Sequence, residues 1–287
     1  MRNDLYQVGI LGEKLSHSLS PIFQNVAFEY CEIHASYEVW ELSSDQLLER
    51  VNLLRQSNTL GANVTIPYKE LAYKMVDELD ETALQIGAIN TIVNNSGILK
   101  GYNTDITGFI RSLKEIASFS PSGKNVLILG AGGAARAAIF GLLNENVNSI
   151  TVANRTEGRA VKMLDDFGVN KEIFKIMSIY DEKLTQVSLN SDLIINATSV
   201  GMQHSEMENE SILSTNQIPS NCVVYDIVYN PLLTPLLKNA QIAGAEIMQG
   251  LWMLIFQGVD SFELWTGKSA PIQKMYKKAM ETFDSQH

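Results

Sequence analysis

The chain has 287 residues, 45% hydrophobic and 19% charged, which is long for one core and comfortable for two domains. Its formal net charge of -10 argues against binding nucleic acid or an anionic membrane, so an anionic ligand would need a local basic cluster. Two well-separated cysteines, Cys31 and Cys222, speak against a disulfide framework or a zinc site and fit a reducing compartment.

The opening MRNDLYQVGILGEK meets a charge and a glycine before a signal-peptide core could form, so the expected location is the cytoplasm. Residues 5–12 read as a strand, 20–31 as a helix and 36–42 as a strand. Residues 43–56 follow as a helix capped by Ser43 or Ser44, with Leu47, Leu48, Val51 and Leu54 on its buried face. Residues 61–67 form the next strand, and the spacing of Leu71, Met75 and Leu79 predicts a helix over 68–79 with Pro67 at its first position. Residues 88–103 read as a hairpin turning at Asn95, Ser96 and Gly97. This βαβαβα order predicts an α/β unit with a mostly parallel sheet.

An amphipathic helix at 106–117 leads into Ser120, Pro121, Ser122 and Gly123, a candidate linker. The alternation then resumes, with strands at 125–130, 149–155, 172–177, 192–199, 223–230 and 245–249. Helices are expected at 134–143, 157–167 and 231–244, and two more, over 250–267 and 271–283, close the chain. The apolar run at 126–143 holds Arg136 and four glycines, so it suits strand, turn and helix better than a membrane span.

Lys69 raises a question, because it falls in the first turn of the expected helix, where the dipole disfavours a cation. Other polar residues gather at strand ends and helix starts: Ser16, His17, Ser18 and Ser20, then Asn63 and Thr65, Asn90, and Asn103, Thr104 and Asp105. In α/β sheets the carboxyl ends of strands face the ligand crevice. Ordinary helix caps at the serines, Thr104 or Asp105 are the alternative. The four histidines, His17, His34, His204 and His287, show no metal-ligand spacing. No metal site is expected, and His17 fits local support beside the serines.

GAGGAAR, residues 130–136, follows an apolar strand and opens a helix. Gly130, Gly132 and Ala135 occupy the glycine positions of the dinucleotide fingerprint, so Gly130, Ala131, Gly132, Gly133 and Ala134 are candidate pyrophosphate contacts. The next strand ends at Asn154, Arg155 and Thr156, with Arg159 one turn further and Lys162 beyond. NAD-preferring sites place an acid here for the ribose 2′-hydroxyl. Guanidinium groups suit a 2′-phosphate instead, so NADP is the expected cofactor; a solvated basic helix start is the bland alternative.

SHSLSP, NVTIPYK, GAINT, GYNTD, GAGGAAR, NRT, NATSVGM, YNPLLT and GLWMLIFQG occur in order and nearly end to end. In these motifs the chain closely resembles the shikimate dehydrogenase family. The resemblance implies NADP-dependent interconversion of shikimate and 3-dehydroshikimate, in aromatic amino acid biosynthesis. It also implies a substrate domain of residues 1–105 and 250–287 around a Rossmann NADP-binding domain, 106–249, in a monomer or homodimer. Carried over by position, Ser18 and Ser20 would hold the substrate carboxylate, with Tyr229 nearby. Asn63, Thr65, Asn90 and Gln257 would bind its ring hydroxyls or carboxylate. Lys69 and Asp105 would be the catalytic pair, and Thr198, Met202, Ile227 and Gly250 would serve the nicotinamide side. Where the family usually shows His-Asn after Ser-Pro, Gln24 precedes Asn25 here.

The chemistry is consistent with that resemblance. Oxidising a hydroxyl to a ketone requires a group that takes its proton near neutral pH. Free lysine titrates at ~10.4; burial and a helix N-terminus would disfavour its ammonium, whereas Asp105 would favour it. The two are expected to act as a coupled pair, with Lys69 carrying the proton and Asp105 the rival base. An NAD-using quinate/shikimate dehydrogenase is an alternative, although such relatives usually carry an acid after the second Rossmann strand or a bulkier residue at one substrate serine. A dinucleotide-binding regulator without chemistry is another, and it would not need both Lys69 and Asp105.

Overall fold

In the computed structural model, residues 5–167 and 171–284 are described, so His287 lies outside them. The chain divides into two compact units, Met1–Gly108 with Ile255–His287, and Phe109–Leu254.

The first unit runs β1 (Tyr6–Gly12), α1 (Ser20–Tyr30), β2 (Ala35–Glu41), α2 (Leu47–Leu53), β3 (Thr59–Val64), α3 (Lys69–Tyr73), β4 (Glu78–Leu79), α4 (Glu81–Ile86), β5 (Thr91–Asn95) and β6 (Ile98–Tyr102). Its sheet order is β2-β1-β3-β5-β6-β4. β1 pairs in parallel with β2 and β3, and β4 with β6, while β5 runs antiparallel to β3 and β6. Leu11, Leu47, Val51, Leu54, Ile92 and Leu99 are buried under one face of this sheet. Each such side chain is worth about 1.5–3 kcal/mol when buried. The β5–β6 turn passes through Ser96 and Gly97, both at positive φ, with Asn95 opposite Ile98. That is the geometry a two-residue hairpin turn needs.

Several local expectations give way here. The helix expected over 68–79 stops at Tyr73, and Leu79 instead pairs with Gly101 of β6. Backbone bonds from Asp77 N to Leu99 O and Asp80 N to Gly101 O hold that strand. A three-point apolar spacing over nine residues, Leu71 to Leu79, is outweighed by a strand edge that needs pairing. Pro67 precedes the helix in a turn, after a cis Ile66–Pro67 peptide, and Tyr68 is the N-cap residue. At α2 the N-cap is Gln46, Ser43 bonds the Gln46 side chain, and Leu48 is exposed rather than buried.

α5 (Asp105–Arg111) continues as a π-helical turn, Ser112–Ile116, and the chain enters the second unit within α5. There follow β7 (Asn125–Leu129), α6 (Gly133–Leu143), β8 (Ser149–Asn154), α7 (Glu157–Phe167), β9 (Phe174–Ser178), α8 (Leu184–Leu189), β10 (Leu193–Asn196), β11 (Val223–Asp226), α9 (Pro235–Ala243) and β12 (Glu246–Gln249). These strands order β12-β11-β10-β7-β8-β9, all parallel. That is the 3-2-1-4-5-6 arrangement of a doubly wound dinucleotide-binding sheet. The chain returns to the first unit within α10 (Leu251–Thr266) and ends in α11 (Ile272–Asp284).

The turn at Ser120 to Gly123 lies inside the second unit, where Gly123 N bonds Asn146 O, so it is not the linker. The helix expected from residue 231 starts at Pro235, because Thr234 caps it by accepting from Leu237 N. Among the described residues no helix is long and apolar enough to cross a membrane, and no His/Cys/Asp/Glu group could hold a metal ion.

Candidate active site

In the first unit, β3 carries Asn63 near its end, Thr65 follows it, and α3 begins at Lys69. Lys69 Nζ lies 2.5 Å from Asp105 Oδ2, both side chains being largely buried. Asn90 Nδ2 donates to the other oxygen, Asp105 Oδ1, at 3.0 Å. Asp105 starts α5, yet its carboxylate points to Lys69 and Asn90; the Thr104 hydroxyl donates to Gln257 O at 3.0 Å. Neither side chain acts as the helix cap that local rules offered.

Asn90 is 2% exposed and organises the neighbourhood. Its Oδ1 accepts from Thr104 N at 2.8 Å, and its Nδ2 lies 2.9 Å from Thr104 Oγ1 and 3.3 Å from Gln257 Oε1. Asn63 is also buried: its Oδ1 accepts from Tyr37 OH at 2.7 Å, and its Nδ2 faces Asn90 O, Thr91 Oγ1 and Ser261 Oγ at 3.0–3.1 Å. Burial pushes the Tyr37 phenol well above its usual range, opposed by a hydrogen bond with Ser20. Ser20 is buried, and its amide approaches Ser18 Oγ at 3.4 Å; the N-cap residue of α1 is Leu19, so neither serine is a simple cap. Thr65 N bonds Leu11 O, and His17 is exposed.

The structure thus brings together Lys69, Asp105, Asn90 and Gln257, with Asn63 buried behind them and Ser20 reached through Tyr37. Tyr37, Thr91 and Ser261 were not singled out from the sequence. A tyrosine in a strand and a serine in an amphipathic helix carry no local signal; Thr91, beside Asn90 in GAINT, did lie within a motif. Gln24 packs from α1 against α10, donating from Nε2 to Gly258 O at 2.8 Å.

In the second unit, Gly130 directly follows β7 with φ 110°, and a Cβ there would lie 2.9 Å from Thr198 Cγ2 and 3.0 Å from Ala197 O. Gly132 is the N-cap of α6 and provides no side-chain cap, so the helix start offers backbone N–H groups. A Cβ at Gly132 or Gly133 would meet no protein atom within 4 Å. Nothing in the fold demands glycine at these two places; a ligand lying against the backbone would. The loop, with Ala131 and Ala134 beside the glycines, therefore fits a pyrophosphate.

At the end of β8, Asn154 Nδ2 bonds Thr156 O at 2.8 Å. Arg155 and Arg159 are exposed, and among the described residues neither pairs with a carboxylate. Thr198 Oγ1 donates to Asn196 Oδ1 at 2.6 Å, and Met202 is exposed. Ile227 N bonds Asn196 O, and a Cβ on Gly250 would sit 2.2 Å from Ile227 O, so only glycine allows that approach. Tyr229 belongs to this unit, its phenol pushed up by burial.

Three family models match: "Shikimate dehydrogenase substrate binding domain" over residues 10–92, "Shikimate / quinate 5-dehydrogenase" over 112–231, and "Shikimate 5'-dehydrogenase C-terminal domain" over 250–280. Shikimate dehydrogenase (NADP(+)) from Methanococcoides burtonii is 41% identical over 275 residues, covering 96% of this chain and 97% of the relative. The structure of shikimate 5-dehydrogenase from Thermus thermophilus in complex with NADP(H) and shikimate is 34% identical, with a TM-score of 0.85, covering 96% of this chain and 99% of its own. Quinate dehydrogenase from Corynebacterium glutamicum in complex with NAD is 28% identical, with a TM-score of 0.87 and coverage of 97% and 100%.

Proposed function

The chain belongs to the shikimate dehydrogenase family, and from that premise we propose that it interconverts 3-dehydroshikimate and shikimate with NADP, within aromatic amino acid biosynthesis. The observation that carries this reading is the Lys69–Asp105 contact, with Asn90 bonded to the same carboxylate and Gln257 beside it.

When bound, the nicotinamide supplies the acceptor or donor of hydride. The protein's own task is to place the substrate and move one proton. Ser18 and Ser20 hold the substrate carboxylate. Thr65, Asn90 and Gln257 bind ring hydroxyls. Asn63, held by Tyr37, Thr91, Ser261 and the Asn90 carbonyl, binds the ring hydroxyls or carboxylate alongside Thr65, Asn90 and Gln257. The hydroxyl being oxidised lies against the Lys69–Asp105 pair and gives its proton to Lys69 Nζ, while Asp105 orients the amine and the hydroxyl.

Gly130, Ala131, Gly132, Gly133 and Ala134 hold the pyrophosphate. Asn154, Arg155, Thr156 and Arg159 hold the adenosine 2′-phosphate. Thr198, Met202, Ile227 and Gly250 face the nicotinamide. The two free thiols, Cys31 and Cys222, support a cytoplasmic setting.

The test supplies shikimate or quinate with NADP+ or NAD+ and follows absorbance of the reduced cofactor. Turnover of shikimate with NADP+ is expected. Turnover of quinate with NAD+ and not of shikimate with NADP+ overturns the reading. Cofactor binding without turnover of any pair makes the protein a regulator instead.

A further inference from the structure

Asp226 ends β11 with no exposed surface, and nothing in the proton chemistry above uses it. Its Oδ1 accepts from Asn196 Nδ2 at 2.9 Å and Val228 N at 3.0 Å, and its Oδ2 from Thr234 Oγ1 at 2.6 Å. Burial pushes the carboxyl up to about 7, against those three hydrogen bonds. Its partners are an amide, a backbone N–H and a hydroxyl, none of them a cation. Burying an acid without a cation is costly. An apolar residue would pack there more cheaply, but it would make none of the three bonds.

Those bonds join three segments at the carboxyl end of the sheet. Asn196 ends β10, Val228 lies in the loop after β11, and Thr234 caps α9. Asn196 passes the constraint on, because its Oδ1 accepts from both Thr198 N and Thr198 Oγ1, at 3.1 and 2.6 Å. Thr198 Oγ1 in turn accepts from Val200 N, and its methyl lies where a Cβ on Gly130 would strike. On the other side, the bond to Val228 N curls the chain just past Ile227, whose carbonyl makes the close approach to Gly250.

We propose that Asp226 is a positioning residue for the nicotinamide end of the cofactor. It fixes Thr198 through Asn196, and Ile227 through Val228, while leaving the adenosine end at Gly132 and Arg155 alone. This rests on the reading that the second unit binds NADP.

The experiment measures binding of NADP+ and of 2′-phospho-ADP-ribose, which lacks the nicotinamide, to the full chain by calorimetry. Asp226→Leu keeps the volume and removes both acceptors, so the bonds to Asn196 and Val228 are lost. It is expected to weaken NADP+ about threefold to tenfold, as for a lost positioning hydrogen bond, with 2′-phospho-ADP-ribose unchanged. Asn196→Leu cuts the relay between Asp226 and Thr198 and carries the same expectation should Asp226→Leu fail to fold. A ratio of the two affinities unchanged from wild type, whether both weaken or neither does, overturns the proposal. Wild-type protein that binds neither ligand overturns the NADP reading itself, a separate result.

Discussion

Asp105 shares its two carboxylate oxygens between Lys69, at 2.5 Å, and Asn90, at 3.0 Å. By helix rules alone, the positive end of α3 would prepare Lys69 for its task. In the fold that helix is five residues long, and the nearest strong field at Lys69 is the Asp105 carboxylate.

Lys69→Ala is expected to lower kcat by about 10²–10⁴ with little change in KM for shikimate, the mark of an interaction made in the transition state. Steady-state kinetics check this. A variant with near-normal kcat removes Lys69 from proton transfer and hands the role to Asp105.

Arg155→Ala should raise KM for NADP+ about tenfold or more, since a charge-assisted hydrogen bond is worth about 1.5–3 kcal/mol. KM for NAD+, which has no 2′-phosphate, should barely change. Equal losses for both cofactors reject the 2′-phosphate contact.

Gly132 and Gly250 separate binding from stability. A Cβ at Gly132 touches no protein atom, so Gly132→Ala should keep the unfolding midpoint while weakening NADP+ binding. At Gly250 the same Cβ lies 2.2 Å from Ile227 O, and Gly250→Ala should cost about 1–3 kcal/mol or more through overpacking. Urea unfolding and calorimetric titration read the two effects; a Gly132→Ala protein with wild-type NADP+ affinity argues against a pyrophosphate at that backbone.

Tyr37→Phe leaves Asn63 Oδ1 buried without its phenol donor. The expected loss of stability is about 1–3 kcal/mol, the cost of an unsatisfied buried acceptor. Urea unfolding measures it, and an unchanged midpoint would mean that Asn63 finds another donor.

Asp226 makes stability depend on pH in a defined direction. Its carboxyl titrates near 7 in the fold, above its ordinary 3.8. Its contribution is whole below about pH 4, where both states are protonated, and is lost as pH rises towards about 7, because the unfolded chain ionises first. The loss is on the order of a few kcal/mol. Asp226→Asn should flatten the stability profile over that interval, measured by urea unfolding at each pH. Equal slopes in both proteins would show that Asp226 ionises in the fold as easily as in the unfolded chain.

Much of the fold is legible in the sequence, because alternation of apolar strands and amphipathic helices is a local signal. The hairpin at Ser96 and Gly97 and the strand–loop–helix around Gly130 and Gly132 are of this kind: nearby residues dictate the backbone. Lys69, Asn90 and Asp105 could be suspected from their places at strand ends and helix starts, although a helix cap competed for Asp105. The family motifs, and not periodicity, supplied the substrate.

Other features had no local signal. Leu71, Met75 and Leu79 carry helical spacing, yet β6 captured Leu79, since an unpaired strand edge outweighs a short amphipathic stripe. Antiparallel β5 inserts between β3 and β6 in a sheet that the element order alone made mostly parallel. Tyr37 and Ser261 reach Asn63 across 26 and 198 residues of chain, and Asp226 meets Asn196 across 30.

By itself the sequence determined the alternating elements, the nucleotide loop and the family, because neighbouring residues set backbone geometry and the motifs stand in order. Only the tertiary structure decided which polar atoms meet. Buried donors and acceptors must find partners wherever packing brings them, and that choice depends on contacts between residues far apart along the chain.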